Sequence, residues 1–217
     1  MDTSVDNVAV FAQFPKIARF CREVVVTEKI DGTNAQILIS DTGPITLKSG
    51  RVVPFMVGSR NRWIFPEADN NGFARWAYDN EALVLKLGHG RHFGEWWGAG
   101  IQRRYGQDRK RLSLFNTMRW CEVGSEPVKI AARGNSRDSM VQDVAPDGIE
   151  VVPVLWKGKM SELNTDKIMA DLKEHGSYAA PGYMNPEGIV IYHVAGNLSF
   201  KRTFEGDETG KEAIKLT

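Results

Sequence analysis

The chain has little cysteine and no long apolar run. Its 217 residues include two cysteines, Cys21 and Cys121, which cannot build a disulfide framework and lack the paired CxxC spacing of a metal site. We therefore expect a reducing, cytoplasmic compartment. No apolar run approaches the ~20 residues that a membrane-spanning helix needs, so no membrane partner is expected. The N-terminus lacks a basic segment followed by an apolar one, which argues against a signal peptide.

The chain also lacks an excess of either charge. It carries 28 Lys and Arg residues against 27 Asp and Glu residues, a net charge of +1. Any surface that binds nucleic acid must therefore be local rather than global. Apolar residues make up 42% of the chain, which is enough for a substantial core and excludes a disordered chain. No boundary is visible in the sequence, so we expect one domain over residues 1–217 and no separate C-terminal domain.

Short segments rich in β-branched and aromatic residues, bounded by Gly, Asp, Asn or Pro, predict strands along most of the chain. These segments are Glu23–Thr27, Ala35–Ser40, Val52–Val57, Arg91–Trp97, Leu112–Glu122, Ile149–Leu155, Gly188–Val194 and Leu198–Phe204. Helical spacing of apolar residues predicts one helix over 73–87 and a second from about Met160 to His175. The polar stretch Gly124–Asp147 is typical of a long loop or a partly ordered insertion. Strands and helices do not alternate, so the sequence predicts an α+β fold with largely antiparallel sheets flanked by helices.

A lysine stands where a valine-rich strand meets a tight turn. The segment Thr27–Asn34 reads Thr-Glu-Lys-Ile-Asp-Gly-Thr-Asn, and Asp31-Gly32 breaks the strand. One interpretation is a hairpin with an exposed lysine, because Asp-Gly is common in turns. The other is a lysine nucleophile, whose neutral amine would attack while the glycine lets backbone amides approach a phosphate. The segment alone leaves both interpretations open.

Two carboxylates and a second lysine stand in or beside predicted strands. Glu95 lies among aromatic residues, where a buried carboxylate needs an ion pair or hydrogen bonds; an edge-strand glutamate facing water is the alternative. Glu187 comes just before a hydrophobic strand, and Lys201 lies in the middle of another. Each of these features is weak evidence by itself.

Residues 103–111 carry five cations with one aromatic residue and one acid among them. Such a stretch is a candidate surface for the phosphates of a nucleic acid. A solvated charged face explains the same composition. The candidate nucleic-acid contacts are Arg103, Arg104, Arg109, Lys110 and Arg111.

In combination and in this order, the motifs resemble those of the covalent nucleotidyltransferase superfamily of DNA ligases, RNA ligases and mRNA capping enzymes. The resemblance is closest to RNA ligase 2-like proteins and covers about Glu23 to Phe204. Family members often have Asp where Asn116 stands, and a second lysine where Thr203 stands. The resemblance implies the nucleotidyltransferase (ATP-grasp-like) domain of ligases. Its six motifs fall at Lys29–Asn34, Gly58–Arg60, Phe93–Glu95, Phe115–Asn116, Glu187–Val190 and Lys201.

The resemblance further implies an ATP-dependent RNA ligase that joins 5′-phosphate to 3′-hydroxyl ends through a lysyl-AMP intermediate. Lys29 is the implied nucleophile, ATP the AMP donor, and Mg²⁺ or Mn²⁺ the metal, held near Glu187. Asn34 stands where DNA ligases and capping enzymes usually have Arg, which favours RNA over DNA as the partner. The alternatives are a DNA ligase, a capping-type nucleotidyltransferase, or a non-catalytic nucleotide-binding module. The implied nucleotide contacts are Glu28, Asn34, Arg60, Glu95, Phe115, Val190 and Lys201.

Overall fold

The computed structural model describes residues 13–130 and 140–207, and short strands dominate its regular structure. Among the described helices, none has the length and apolar character needed to cross a membrane. The α-helices are α1 Phe73–Asp79, α2 Glu81–Leu85 and α3 Thr165–His175, with 3₁₀ turns at Pro66–Ala68 and Met160–Glu162. The strands are β1 Glu23–Lys29, β2 Thr33–Ile39, β3 Ile45–Thr46, β4 Val52–Val53, β5 Met56–Gly58, β6 Trp63–Ile64, β7 Gly90–Gly98, β8 Lys110–Leu114, β9 Trp120–Cys121, β10 Lys129–Ile130, β11 Met140–Val141, β12 Asp143–Val144, β13 Glu150–Val151, β14 Val154–Lys159, β15 Gly188–His193 and β16 Leu198–Thr203.

The larger sheet has six strands in the order β13-β8-β7-β2-β5-β6. Its neighbouring strands are antiparallel except for β13 and β8, which are parallel. Because side chains alternate across a strand, Ala35, Ile37 and Ile39 of β2 all point to one face. There they join a buried core with Phe73 of α1 and Val84 of α2. The two helices therefore cover one face of this sheet.

The smaller sheet has four antiparallel strands in the order β14-β1-β15-β16. Val26 of β1 and Ile189 of β15 pack against Leu172 of α3 in a second buried core. The helix begins after Asn164, whose side-chain oxygen accepts a hydrogen bond from the backbone N–H of Lys167 at 3.0 Å. Helix α3 thus covers one face of the smaller sheet.

The sheet faces that the helices leave uncovered bound a common cleft. On β1, Thr27 and Lys29 point away from the α3 core, and Val190 lies beside Thr27 on β15. On β7, Phe93 and Glu95 point away from the α1–α2 core. All five side chains line the same cleft, so it lies between the two sheets.

The α+β fold with largely antiparallel sheets is confirmed, and several element boundaries differ from the prediction. The predicted strands Val52–Val57 and Ile149–Leu155 each divide at a proline, Pro54 and Pro153, because proline has no N–H to donate to a strand ladder. The two halves of the second segment join different sheets, since β13 pairs with β8 and β14 with β1. The first predicted helix divides into α1 and α2 at Asn80.

Asparagine side chains account for two further differences. The predicted strand Leu112–Glu122 ends early because the Asn116 side chain accepts from the Arg119 N–H at 3.2 Å and so forms a turn. The second predicted helix begins at Thr165 rather than at about Met160, because the side chain of Asn164 caps its first turn. The polar stretch Gly124–Asp147 contains β10, β11 and β12, and part of it lies outside the described residues.

Candidate functional site

Lys29 and Glu187 meet where β1 and β15 pair. Lys29 is the last residue of β1 and lies opposite Gly188, the first residue of β15. Glu187 therefore lies beside Lys29, although 158 positions separate the two in the chain. The Lys29 Nζ donates to Glu187 Oε2 at 2.7 Å, and both side chains are partly buried. This contact places a proton acceptor within hydrogen-bond distance of the amine.

The turn after Lys29 brings Glu95 to the same place. The backbone N–H of Gly32 donates to Glu95 Oε1 at 3.1 Å, and Asn34 lies opposite Glu95 in the β2–β7 pairing. A Cβ atom at position 32 would lie 2.5 Å from the backbone oxygen of Trp96, so only glycine allows this approach. The glycine of the motif therefore serves the close packing of the turn against β7.

Glu95 has a perturbed pKa. Only 8% of its surface is exposed. Burial raises the pKa of Glu95 to about 7, against the lowering effects of the Lys29 charge and the Gly32 hydrogen bond, while Glu187 and Asp31 raise it further. This carboxyl group therefore changes its charge near neutral pH, a property that is common among functional-site residues.

The cleft beside Lys29 has a volume of about 680 Å³. Its walls contain the half-exposed rings of Phe93 and Phe115 and the aliphatic side chain of Val190. Asn34 supplies a neutral amide. A cleft of this size, with apolar walls and a few polar groups, suits a small ligand with an aromatic ring.

The carboxylate of Glu28 is directed away from the Lys29 amine. Successive residues of a strand point to opposite faces. Glu28 accepts a hydrogen bond from Ser177 Oγ at 2.5 Å and from the backbone N–H groups of Tyr178 and Ala179 at 2.8 and 2.9 Å. Burial raises the pKa of Glu28, and these three hydrogen bonds oppose that rise. Glu28 borders the cleft, but its carboxylate holds the segment that follows α3.

Two of the predicted nucleotide contacts, Arg60 and Lys201, lie outside the lining of the cleft. Arg60 is exposed in the loop between β5 and β6. Lys201 is exposed on β16 directly opposite Val190, which in turn lies opposite Thr27. Since residues directly opposite in a sheet share a face, Lys201 projects on the same side of the sheet as Lys29.

Two arginines of the basic stretch make ion pairs within the protein. Arg103 Nε donates to Asp31 Oδ2 at 3.1 Å, and Arg103 Nη2 donates to Glu205 Oε2 at 3.3 Å. Arg111 Nη1 donates to Glu150 Oε1 at 2.5 Å. Both guanidinium groups thus contact carboxylates of this chain.

The other three cations of the stretch are exposed. Lys110 Nζ donates to the backbone oxygen of Asn71 at 2.7 Å. Arg104 and Arg109 are exposed in the loop before β8. Of the five predicted nucleic-acid contacts, two therefore make ion pairs within the chain and three are exposed.

Comparison with known proteins places this geometry in a family. The family model for RNA ligase matches residues 22–215, nearly the whole chain. The chain belongs to the RNA ligase family. No curated protein matches the sequence significantly.

Solved structures of an RNA ligase share the fold of this family member. Two variants of the Naegleria gruberi RNA ligase with ATP and Mn match with TM-scores of 0.52 and 0.51, each at 17% sequence identity. The matches cover 88% and 84% of this chain and 53% and 49% of those chains. The same ligase with PPi matches with a TM-score of 0.50 and 17% identity, over 84% of this chain and 49% of that one. The chain thus spans about half the length of these structures, and the likeness concerns the fold.

In this member of the RNA ligase family, the cleft contains further residues that the motifs did not single out as ligand contacts. Arg91 and Phe93 line it on β7, and Tyr192 lines it on β15. Strand alternation is the signal that could have found them, since Arg91 and Phe93 lie four and two positions before Glu95. Tyr192 likewise follows Val190 by two positions.

The Glu187 carboxylate beside Lys29 fits a Mg²⁺ ion that takes its other ligands from water and from a bound phosphate. The described residues contain no group of three or more His, Cys, Asp or Glu side chains arranged to hold a metal ion. Mg²⁺ is usually bound through one or two carboxylates together with waters and substrate phosphates. Glu187, in contact with Lys29, supplies one such carboxylate.

Proposed function

We propose that this chain is an ATP-dependent RNA ligase that adenylylates Lys29 and then transfers AMP to a 5′-phosphate end. The observation that carries the proposal is that Lys29, in the wall of an aromatic-lined cleft, donates from Nζ to Glu187 Oε2 at 2.7 Å. Membership of the RNA ligase family supports it, as does the similar fold of RNA ligase structures with ATP and Mn.

The first step joins the amine of Lys29 to the α-phosphorus of ATP. The protonated amine must lose a proton before it attacks, and Glu187 Oε2 lies at 2.7 Å to accept it. A bond forms between Nζ and phosphorus, the bond from phosphorus to the bridging oxygen breaks, and pyrophosphate leaves with the bonding electron pair. The products are lysyl-AMP and pyrophosphate.

The cleft positions the nucleotide for this attack. In this proposal Phe115 and Val190, which line the cleft, contact the adenine, and Asn34 and Glu95 of the same lining bind the ribose. Lys201, on the Lys29 side of its sheet, contacts a phosphate oxygen in this proposal. A divalent metal held near Glu187 would neutralise phosphate charge when it is bound. Positioning and charge neutralisation are the main contributions that a protein makes to phosphoryl transfer.

In the later steps, AMP passes from Lys29 to the 5′-phosphate of an RNA strand, and a 3′-hydroxyl then displaces AMP. Asn34, a neutral amide where DNA ligases carry a cation, favours RNA over DNA. Exposed Arg104 and Arg109 hold the strand phosphates in this proposal. Mg²⁺ or Mn²⁺ is the expected metal for the transfer of AMP to Lys29 and for its transfer to the 5′-phosphate.

The test is covalent labelling of residues 1–217 with α-labelled ATP and Mg²⁺ or Mn²⁺. Wild type is expected to retain the label, and Lys29→Ala is expected to lose it. Lys29→Arg is expected to lose it as well, because a guanidinium stays protonated. Lys157→Ala is the matched control, because Lys157 lies on neighbouring β14 and also makes an ion pair, with Glu23 at 3.5 Å.

Each other outcome identifies an alternative. Label retained by Lys29→Ala would place the nucleophile elsewhere. Labelling from GTP instead of ATP would indicate a capping-type nucleotidyltransferase, and preferential joining of DNA nicks would indicate a DNA ligase. A wild-type chain that binds ATP without forming a covalent bond would be a non-catalytic nucleotide-binding module.

A further inference from the structure

Arg103 connects three separate segments of the chain. Its Nε donates to Asp31 Oδ2 at 3.1 Å, its Nη2 to Glu205 Oε2 at 3.3 Å, and its Nη1 to the backbone oxygen of Asn185 at 3.5 Å. Only 19% of the Arg103 side chain is exposed. The planar fork of guanidinium donors therefore fixes three acceptors relative to one another.

Two of these segments lead directly to the reacting groups. Asp31 follows Lys29 by two positions, in the turn that ends β1. Asn185 precedes Glu187 by two positions, in the segment that enters β15. Arg103 therefore holds the turn of the nucleophile against the segment that delivers the carboxylate.

Aromatic side chains hold the loop of Arg103 in place. Tyr105 Oη accepts from the backbone N–H of Asp31 at 2.9 Å, and Tyr183 Oη donates to the backbone oxygen of Arg103 at 3.3 Å. The ring of Tyr105 contacts those of Trp97 and Tyr183, with centroids 5.3 and 4.7 Å apart. Tyr105 is 1% exposed. Buried aromatic side chains thus hold the backbone from which the Arg103 guanidinium extends.

The backbone around Arg103 is strained. Gln102, Arg104 and Tyr105 have positive φ angles of 44°, 59° and 49°, which residues other than glycine seldom adopt. Such residues persist only where their surroundings enforce the backbone conformation. Strain of this kind concentrates at functional sites.

We propose that Arg103 is a positioning residue for Lys29 and Glu187 and not a contact to RNA. This inference rests on the function proposed above. The guanidinium sets the distance between the Lys29 turn and the Glu187 segment through Asp31 and Asn185. Arg103 does not line the nucleotide cleft, so its loss affects the rate of the chemical step and not the binding of ATP.

The test compares Arg103→Gln with Arg51→Gln. Arg51 is the matched control, because it also pairs with a carboxylate at 3.1 Å, that of Glu67, but on the exposed surface and away from the cleft. The rate of lysyl-AMP formation is measured against ATP concentration. Arg103→Gln is expected to lower the saturating rate ten- to about hundredfold, the cost of a misplaced reacting group. The apparent KM for ATP is expected to change less than about twofold, and the control is expected to match wild type.

Two further variants separate positioning from general stability. Arg103→Lys keeps the charge but lacks the fork of donors, so it is expected to recover part of the rate. In an Asp31→Asn background, Arg103→Gln is expected to lower the saturating rate by a much smaller factor than it does alone. The effects of two substitutions that remove the same contact are not additive. Full additivity in this cycle would overturn the inference.

Hydrogen exchange provides a readout that does not depend on catalysis. Arg103→Gln is expected to speed exchange at residues 30–33 and 185–188 and to leave β5 unchanged. If wild type forms no lysyl-AMP, the proposed function fails, and this local pattern alone decides the role of Arg103. Unchanged exchange at both segments, or a uniform increase over the chain, would overturn the inference.

The kinetic data also distinguish an RNA contact. If Arg103→Gln forms lysyl-AMP at the wild-type rate while RNA sealing falls, Arg103 binds RNA and the inference is wrong. If only the apparent KM for ATP rises, Arg103 contacts the nucleotide, and the inference is again wrong.

Discussion

Substitution of Glu95 by glutamine is expected to remove a pH dependence of stability between about pH 4.5 and 7. Burial raises the pKa of Glu95 from its ordinary value of 4.5 to about 7. Between these values the native state binds a proton that the unfolded state releases, so the free energy of unfolding falls as pH rises. Below this range both states are protonated, and above it both are ionised. The shift corresponds to roughly 3 kcal/mol of stability that is lost by about pH 8.

The assay is urea unfolding at about pH 5 and pH 8. Glu95→Gln is not expected to unfold the chain, because the amide oxygen of the new side chain can still accept from the Gly32 N–H that Glu95 binds at 3.1 Å. Between the two pH values, the free energy of unfolding is expected to fall by roughly 2–3 kcal/mol more in wild type than in Glu95→Gln. Glu28, whose pKa burial also raises, is present in both proteins and cancels in the comparison. Glu162→Gln, a change at an exposed position, is the control.

Parallel pH dependence of wild type and Glu95→Gln would refute the reasoning, since the carboxyl group would then titrate alike in the native and unfolded states. The same titration has a consequence for activity. The ionised Glu95 is the better acceptor for ribose hydroxyls, so the affinity for ATP is expected to increase as pH rises through about 7. A fluorescence titration with ATP across this range measures it.

Three other predictions follow from the geometry. Phe115→Ala is expected to weaken ATP binding by roughly 1–3 kcal/mol and Phe115→Tyr much less, because only alanine removes the aromatic face; equal affinities would exclude Phe115 as the adenine platform. Reversing the exposed Arg104 and Arg109 to Glu is expected to reduce RNA sealing and its dependence on salt while leaving the lysyl-AMP yield nearly unchanged; sealing at the wild-type level would show that strand binding lies elsewhere. Gly32→Ala is expected to destabilise the chain by about 2 kcal/mol or more in urea unfolding, because its Cβ would lie 2.5 Å from the Trp96 oxygen. Wild-type stability of that variant would mean that the turn moves away without cost.

The fold class follows from local patterns in the sequence. The valine-rich run before Lys29 is a strand in the structure, and so are the segments that contain Glu95 and Lys201. Short runs of β-branched and aromatic residues predict strands because their side chains suit a pleated, half-buried surface. The pattern could not show that the Ile149–Leu155 segment changes sheets, because each half pairs with a strand distant in sequence.

The residues of the candidate site could be named in advance because the motifs keep a fixed order along the chain. The structure brings Lys29, Asn34, Glu95, Phe115 and Val190 to one cleft. The roles of these residues in binding and catalysis stay predictions. Each of these residue types is common by itself, so it was the order of the motifs along the chain that identified these residues.

The direction in which a side chain points and the groups that it contacts depend on tertiary structure alone. The sequence places Glu28 next to Lys29, but strand alternation directs its carboxylate to the segment after α3. It places Arg103 in a run of five cations, but two carboxylates of this chain, 72 and 102 positions away, occupy that guanidinium. The sequence determined which groups are present and the class of fold that holds them. Only the folded chain decided which of them face the cleft, because ion pairs and strand registers form between residues far apart in sequence.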